Sequence, residues 1–328
     1  MKWGIYMTLD GLENTLIESF IFQVKNGKYE AKVEILKDPN AKALYDEYIN
    51  NVIALNPKEY KMKDVIQLSE REFTTLLLEV INRIYGNNYM LDFNDVLEHK
   101  IVTNNSDDIF DGVNYNVFEK DGVTKVGSYI VVPNFTHISS IVTLLHEFTH
   151  YIVNKYNVSL NGKYYYNELL SIYVEKRVLE IMKEICIKNS NKEIESTRLE
   201  SIKWHYKDHK EEVGAVRDIA NNLKKAAQYD VGAKQQLEAL YGDFPSLRDN
   251  FKYVFNYYNN LAASYGIGYL YSESLLNKYK EDNKKMDELF NDIIKGNKKI
   301  EDVLTYYGIS VNNQDVYDTV NKKIRLLK

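Results

Sequence analysis

The sequence predicts a mainly helical protein with a small β-sheet, an α+β fold. Apolar residues recur at helical spacing through most of the 328 residues. Two short runs, 115–118 and 126–132, instead alternate with a period of two on either side of Asp121-Gly122, the pattern of a hairpin. Only four prolines interrupt the chain, and no internal repeat or low-complexity linker is visible.

Taken in order, residues 20–24 and 29–36 flank Asn26-Gly27 and predict a first hairpin. Helices follow over 41–55 and 70–84, the second opened by Ser69 and Glu72 in a capping-box arrangement. After the 115–132 hairpin, residues 141–154 predict a helix that buries Ile141, Leu144, Leu145, Phe148, Ile152 and Val153, with Ser139 or Thr136 as candidate N-caps. Asn161-Gly162 supplies a reversal, so the next helix, 165–189, can return antiparallel to it. Segments 189–227 and 234–240 read as helices polar on one side. Phe244-Pro245-Ser246 then marks the start of a long aromatic helix or helix pair.

The most specific chemistry lies at His146-Glu147-Phe148-Thr149-His150. Positions four apart on a helix sit one above the other, so both imidazoles can reach one cation while Glu147 stands beside them to polarise a water. This H-E-x-x-H pattern on a helix is a zinc-protease signature. The competing reading is two surface histidines at helical spacing. A catalytic zinc uses three protein ligands and one open position, and two histidines with a glutamate is a standard set. Glu168, Ser171 and Glu175 share one face of the next helix, and Glu168 is the expected third ligand. Glu175, two turns along the same face, is the rival. Solvated helix glutamates are the competing reading for both.

These residues carry a resemblance. Tyr129-Ile-Val-Val-Pro-Asn-Phe-Thr136, followed by Val142 through His150, resembles the strand, loop and helix of the oligoendopeptidase F and thimet oligopeptidase family of zinc peptidases. Glu168-Leu-Leu-Ser171-Ile-Tyr-Val-Glu175 is similar to that family's E-x-x-S-x-x-x-E segment, whose first glutamate binds zinc, which implies that role for Glu168. Leu261 through Ser272 resembles its tyrosine- and glycine-rich segment facing the metal, and the tail from Phe290 to Ile309 its closing helices. The match covers residues 110–180 and 250–328 in the same order. Thr149 stands where the family usually has glycine, the gap from His150 to Glu168 is shorter, and the chain as a whole is much shorter.

The resemblance implies a zincin-like catalytic core, with the H-E-x-x-H helix beside an edge strand and a helical C-terminal region behind it. It further implies one zinc ion per chain, held by His146, His150 and Glu168, with peptide as the substrate. Glu147 is the expected general base and then acid. A phenol on a second wall of the cleft can donate to the oxyanion, and Tyr265 and Tyr269 are the candidates, Tyr265 preferred. With 28 tyrosines in the chain, a core role for either competes with this. An exposed hairpin edge around residues 132–135 can hold an extended peptide through main-chain hydrogen bonds, against the alternative of a plain edge strand.

Other features point elsewhere. His205 and His209 are also four apart, but Lys207 and Lys210 disfavour a cation there, and a solvated helix face is expected. His137 reads as a loop or capping residue. Net charge is −5 with both signs interspersed, which leaves no basic block for nucleic acid. A lone Cys186 excludes an internal disulfide. No secretory signal or membrane-spanning run is visible, so a cytoplasmic protein without membrane contact is expected. The expected division is a unit of unassigned role over 1–100 and a catalytic domain over 101–328. A different class of function also fits the sequence, a catalytically silent peptide-binding or scaffold protein that retains the peptidase fold.

Overall fold

A computed structural model describes residues 39–54, 67–104, 112–120, 125–133, 137–156, 166–185, 191–226, 230–232, 235, 251–279, 282–295, 298–309 and 314–326. The expected hairpin at 20–36, most of the 234–240 segment and the turn signals at 121–122, 161–162 and 244–246 lie outside these residues. Contacts group the chain into two units, 1–54 with 208–263 and 55–207 with 264–328. In the first, helix α1 (Pro39–Ile53) carries buried Tyr48, whose hydroxyl lies 3.0 Å from His209 Nδ1. The site described below lies in the second unit.

That unit begins with α2 (Glu70–Tyr85), where Ser69 and Glu72 form the expected capping box. Its apolar stripe of Phe73, Leu77, Val80, Ile81 and Ile84 is buried, and the helix packs on α5 (Asn167–Ile185). Helix α3 (Met90–His99) and strand β1 (Ile101–Asn104) follow, neither singled out by the sequence. Strands β2 (Val113–Phe118) and β3 (Lys125–Pro133) are the expected antiparallel pair, with a bulge between Val117 and Phe118. Among the described residues the sheet has three strands in the order β1-β3-β2, and β1 runs parallel to β3. The fold class is thus mainly helical with a small mixed sheet, α+β.

The sheet order corrects one expectation. Val132 pairs with Thr103 and Pro133 with Asn104, so β1 covers one side of this part of β3, and the ladder to β2 ends at Val113 and Val131. The strand that borders the site from the rim of the sheet is β2. Residues 134–136 lie outside the described residues.

Helix α4 (Ile138–Lys155) is the centre of the unit, with nearly every residue from Ile138 to Ile152 buried. Its N-cap position is His137, whose side chain makes no capping hydrogen bond, while Ser139 and Ser140 fall inside the first turn. One face lies on Ile130 and Val132 of β3 and the other on α5. Phe148 packs edge-on against Tyr85 at 5.2 Å and Phe93 at 5.0 Å, which ties α2 and α3 to α4. The boundary drawn at residue 100 therefore divides a single packed unit.

Thr149 also packs into this core. Its hydroxyl donates to the Leu145 carbonyl at 2.7 Å and lies 2.7 Å from the Tyr85 hydroxyl, so a buried phenol from α2 finds its partner on α4. A glycine here would leave that contact unmade.

Helix α6 (Asn191–Ala226) and helix α7 (Phe251–Tyr279) each contribute residues to both units. The C-terminal elements are α8 (Asn283–Ile294), α9 (Ile300–Tyr306) and α10 (Gln314–Leu326). Among the described residues, no helix is long and apolar enough to cross a membrane.

Candidate metal centre

Helices α4 and α5 run antiparallel, as the pairing of His146 with Glu175 and of His150 with Ser171 and Glu168 requires. That arrangement turns the spacing of the sequence into a three-cornered site. His146 Nε2 and His150 Nε2 are 3.1 Å apart, and Glu168 Oε2 lies 3.4 Å from each. Tetrahedral zinc with bonds of about 2.0–2.1 Å would hold neighbouring donors about 3.3–3.4 Å apart, so the three atoms stand at the spacing of ligands around one ion. Glu168 Oε2 is buried and has no hydrogen-bond partner among the described residues. His146, His150 and Glu168 form a group that can hold a metal ion.

The glycine at position 268 brings this corner together. A Cβ there would lie 3.0 Å from the backbone and Cβ of Glu168, so glycine lets α7 pack directly against the first turn of α5.

Glu175 occupies a different place from its rival. Its Oε1 is 2.5 Å from His146 Nδ1, while Oε2 accepts from Ser201 Oγ and faces His205 Nε2, both at 2.8 Å. A carboxylate on Nδ1 orients the ring so that Nε2 faces Glu168 and His150. Burial opposes ionisation of Glu175, but His205 and His146 outweigh it and hold the carboxyl below its usual range. Glu168 behaves alike, with His150 and His146 overcoming burial. For His146, burial works against the cation, and Glu168 and Glu175 raise its pKa well above the ordinary value despite this. Ser171 Oγ lies within 3.3 Å of both ring nitrogens of His150.

We expect Glu175→Ala to retain the fold of the ligand set but to weaken metal affinity about 10- to 100-fold, the usual cost of losing a carboxylate that orients a histidine ligand. Equilibrium competition against a metal-binding dye checks this. An unchanged affinity would remove Glu175 from the support of His146.

Glu147 lies one residue along α4, its Oε1 4.0 Å from His146 Nε2. Burial raises its pKa, an effect that His146 and His150 only partly offset. The cavity before it has a volume of about 310 Å3. His146, Glu147, His150 and Glu168 form one wall, and residues from Gly112 to Asn116 approach from β2. Gly112 permits that approach, because a Cβ would meet Thr143 Cγ2 at 2.6 Å and the Glu147 side chain at 3.0 Å. Asn114 Oδ1 accepts from Asn154 at 2.9 Å, while its buried Nδ2 has no hydrogen-bond partner among the described residues.

Tyr265 lines this cavity. Tyr269 does not; it is 1% exposed, packs on Tyr206 at 5.0 Å, and has Lys176 Nζ 3.8 Å from its ring centre. His205 and His209 are not on a solvated face as the lysines suggested, being 4% and 1% exposed. His205 stacks at 6.4 Å on His146 and lies 6.2 Å from the Tyr265 ring. The signal for it was a stripe, Ile194, Thr197, Ser201 and His205, at helical spacing and buried throughout. Its polar members concealed the buried face.

No protein-family model matches the chain, and no curated protein sequence matches it. Among solved structures, the crystal structure of a "putative peptidase from Chlamydophila abortus" aligns over 96% of this chain with 14% identity and a TM-score of 0.47. The chain spans 55% of the length of that protein.

Proposed function

We propose that the chain is a zinc-dependent metallopeptidase that hydrolyses peptide bonds in extended, unstructured peptides. The observation that carries this reading is the triangle of His146, His150 and Glu168 donors with the buried Glu147 carboxylate beside it. A nitrogen and oxygen donor set with three protein ligands suits catalytic zinc. When bound, zinc supplies Lewis acidity, lowering the pKa of a water towards about 7 and polarising the scissile carbonyl.

The remaining steps belong to the chain's own residues. Glu147 takes the proton of the attacking water and delivers it to the leaving amine, a task for which its carboxyl, beside His146 but outside the three-donor group, is placed. Glu175 holds His146 in the orientation that binds through Nε2. Tyr265 donates its phenolic hydrogen to the oxyanion of the tetrahedral intermediate. Substrate lies along β2, whose edge away from β3 has no partner strand among the described residues, with Asn114 Nδ2 available to a peptide carbonyl. The order of these parts is also what supports membership of the oligoendopeptidase F and thimet oligopeptidase family.

Incubation with a mixed peptide library, read by mass spectrometry before and after chelation and zinc restoration, tests the proposal. Cleavage should vanish with the metal and return with zinc. Cleavage indifferent to chelation, or none in zinc-loaded protein, would overturn it. For Tyr265→Phe, kcat should fall about 10²-fold or more, the cost of losing one oxyanion donor, with KM little changed. An unchanged kcat would take Tyr265 out of the mechanism.

A further inference from the structure

A larger cavity, about 540 Å3, lies in the same unit among α5, α6, α7 and α10. That volume falls within the range of about 300–1,000 Å3 typical of small-molecule sites. Five cations line it: Lys176, Arg177, Lys183, Arg198 and Lys323. Only three carboxylates do, Glu180, Glu184 and Glu273.

The existing ion pairs do not balance this lining. Glu273, 2% exposed, is shared, its Oε1 accepting from Lys176 and from Lys323 at 2.6 Å each. Glu195, just outside the cavity, is likewise shared between Lys183 and Arg198. Arg177 is the most telling member. It is 5% exposed, its Nη1 reaches Glu180 only at 3.3 Å, and its Nε has no hydrogen-bond partner among the described residues. A buried guanidinium with an unused N–H is costly unless an acceptor arrives. Burial holds the Lys176 ammonium down to about 8, Glu273 opposing that shift and Lys323 adding to it. An incoming anion would relieve both.

Apolar surface from Leu179, Ile202, Leu276 and the Tyr269 ring completes the walls. The cavity therefore offers a planar fork and several ammonium groups for oxyanion oxygens, and a greasy flank for whatever carries them.

We propose that this cavity binds a small phosphate-monoester dianion, its phosphoryl oxygens held by Arg177, Arg198 and Lys323 and its carrier lying on the apolar flank. The site is separate from the metal centre and stands whether or not the chain is a peptidase. Ser201, in the cavity wall, also donates to Glu175, so the two sites share one hydrogen-bonded residue.

Calorimetric titration of the full chain with inorganic phosphate tests this, beside thermal melts in phosphate and in sodium chloride of equal ionic strength. The expected result is one saturable site per chain and a rise in Tm that sodium chloride does not reproduce. Arg177→Gln should weaken binding about 10- to 100-fold, as loss of a charged hydrogen bond implies. Because Arg177 is buried and its variant can fail to fold, Arg198→Gln and Lys323→Gln, both at partly exposed positions, serve as the second arm and should each weaken binding about tenfold. Absence of saturable binding, equal stabilisation by sodium chloride, affinity unchanged in both second-arm variants, or preference for citrate over phosphate would overturn the assignment.

Discussion

Replacing Glu147 with Gln is expected to leave metal binding intact and to cut peptide cleavage by about 10²- to 10⁴-fold, the range for loss of a positioned acid or base. The two effects separate because Glu147 is not one of the three clustered donors; its Oε1 is 4.0 Å from His146 Nε2. Glutamine matches it in shape and fits beside Gly112 and Thr143, so the packing that brings β2 to the site persists. What disappears is a group able to accept a proton. The loss should fall on kcat, since the proton moves only during the reaction. Retained turnover in a zinc-loaded Glu147→Gln protein would remove the general base from the mechanism. Zinc binding without turnover in the unaltered protein would point instead to a silent peptide-binding protein.

Glu168→Ala is expected to lose the ion itself, falling from one zinc per chain to none at zinc concentrations that saturate the unaltered protein. Two imidazoles would remain, with no carboxylate donor to complete three-ligand coordination. Glu175 cannot take over. Its Oε1 is committed to His146 and its Oε2 to Ser201 and His205, and moving it inward would release the histidine it holds. The contrast with Glu175→Ala, which should weaken binding and not abolish it, makes the ligand assignment testable by metal analysis of the two variants side by side. If only Glu175→Ala lost zinc, the two glutamates would have to exchange roles.

Much of this site could be read from the sequence because helices impose a fixed geometry. Once 146–150 and 168–175 are helical and antiparallel, spacing brings His146 and His150 to the glutamates of one face, and the structure puts Glu168 at the three-donor corner and Glu175 on His146 Nδ1. The Ser69–Glu72 cap and the hairpin into α4 were legible for the same local reason. Long-range pairings were not. β1 is four residues long, and nothing in Ile101–Asn104 signals a parallel partner 29 positions away, so the sequence predicts an edge where β3 is the middle strand. Ser201 and His205 belong to a helix rich in lysine and glutamate, where a polar stripe looks solvated. Only packing against Glu175 shows that it is the buried support of His146. Tyr265 and Tyr269, one helical turn apart in the same segment, were separated by the cavities they face, which no local pattern encodes.

Zinc stoichiometry, measured on the purified full chain by equilibrium titration with a competing chelating dye, is the most direct test of the metal centre. One tightly bound ion per chain, lost in both His146→Ala and His150→Ala variants that remain folded, is the expected result. A folded chain that takes up no zinc at saturation, or one whose single ion is held undiminished by those two variants, would contradict it.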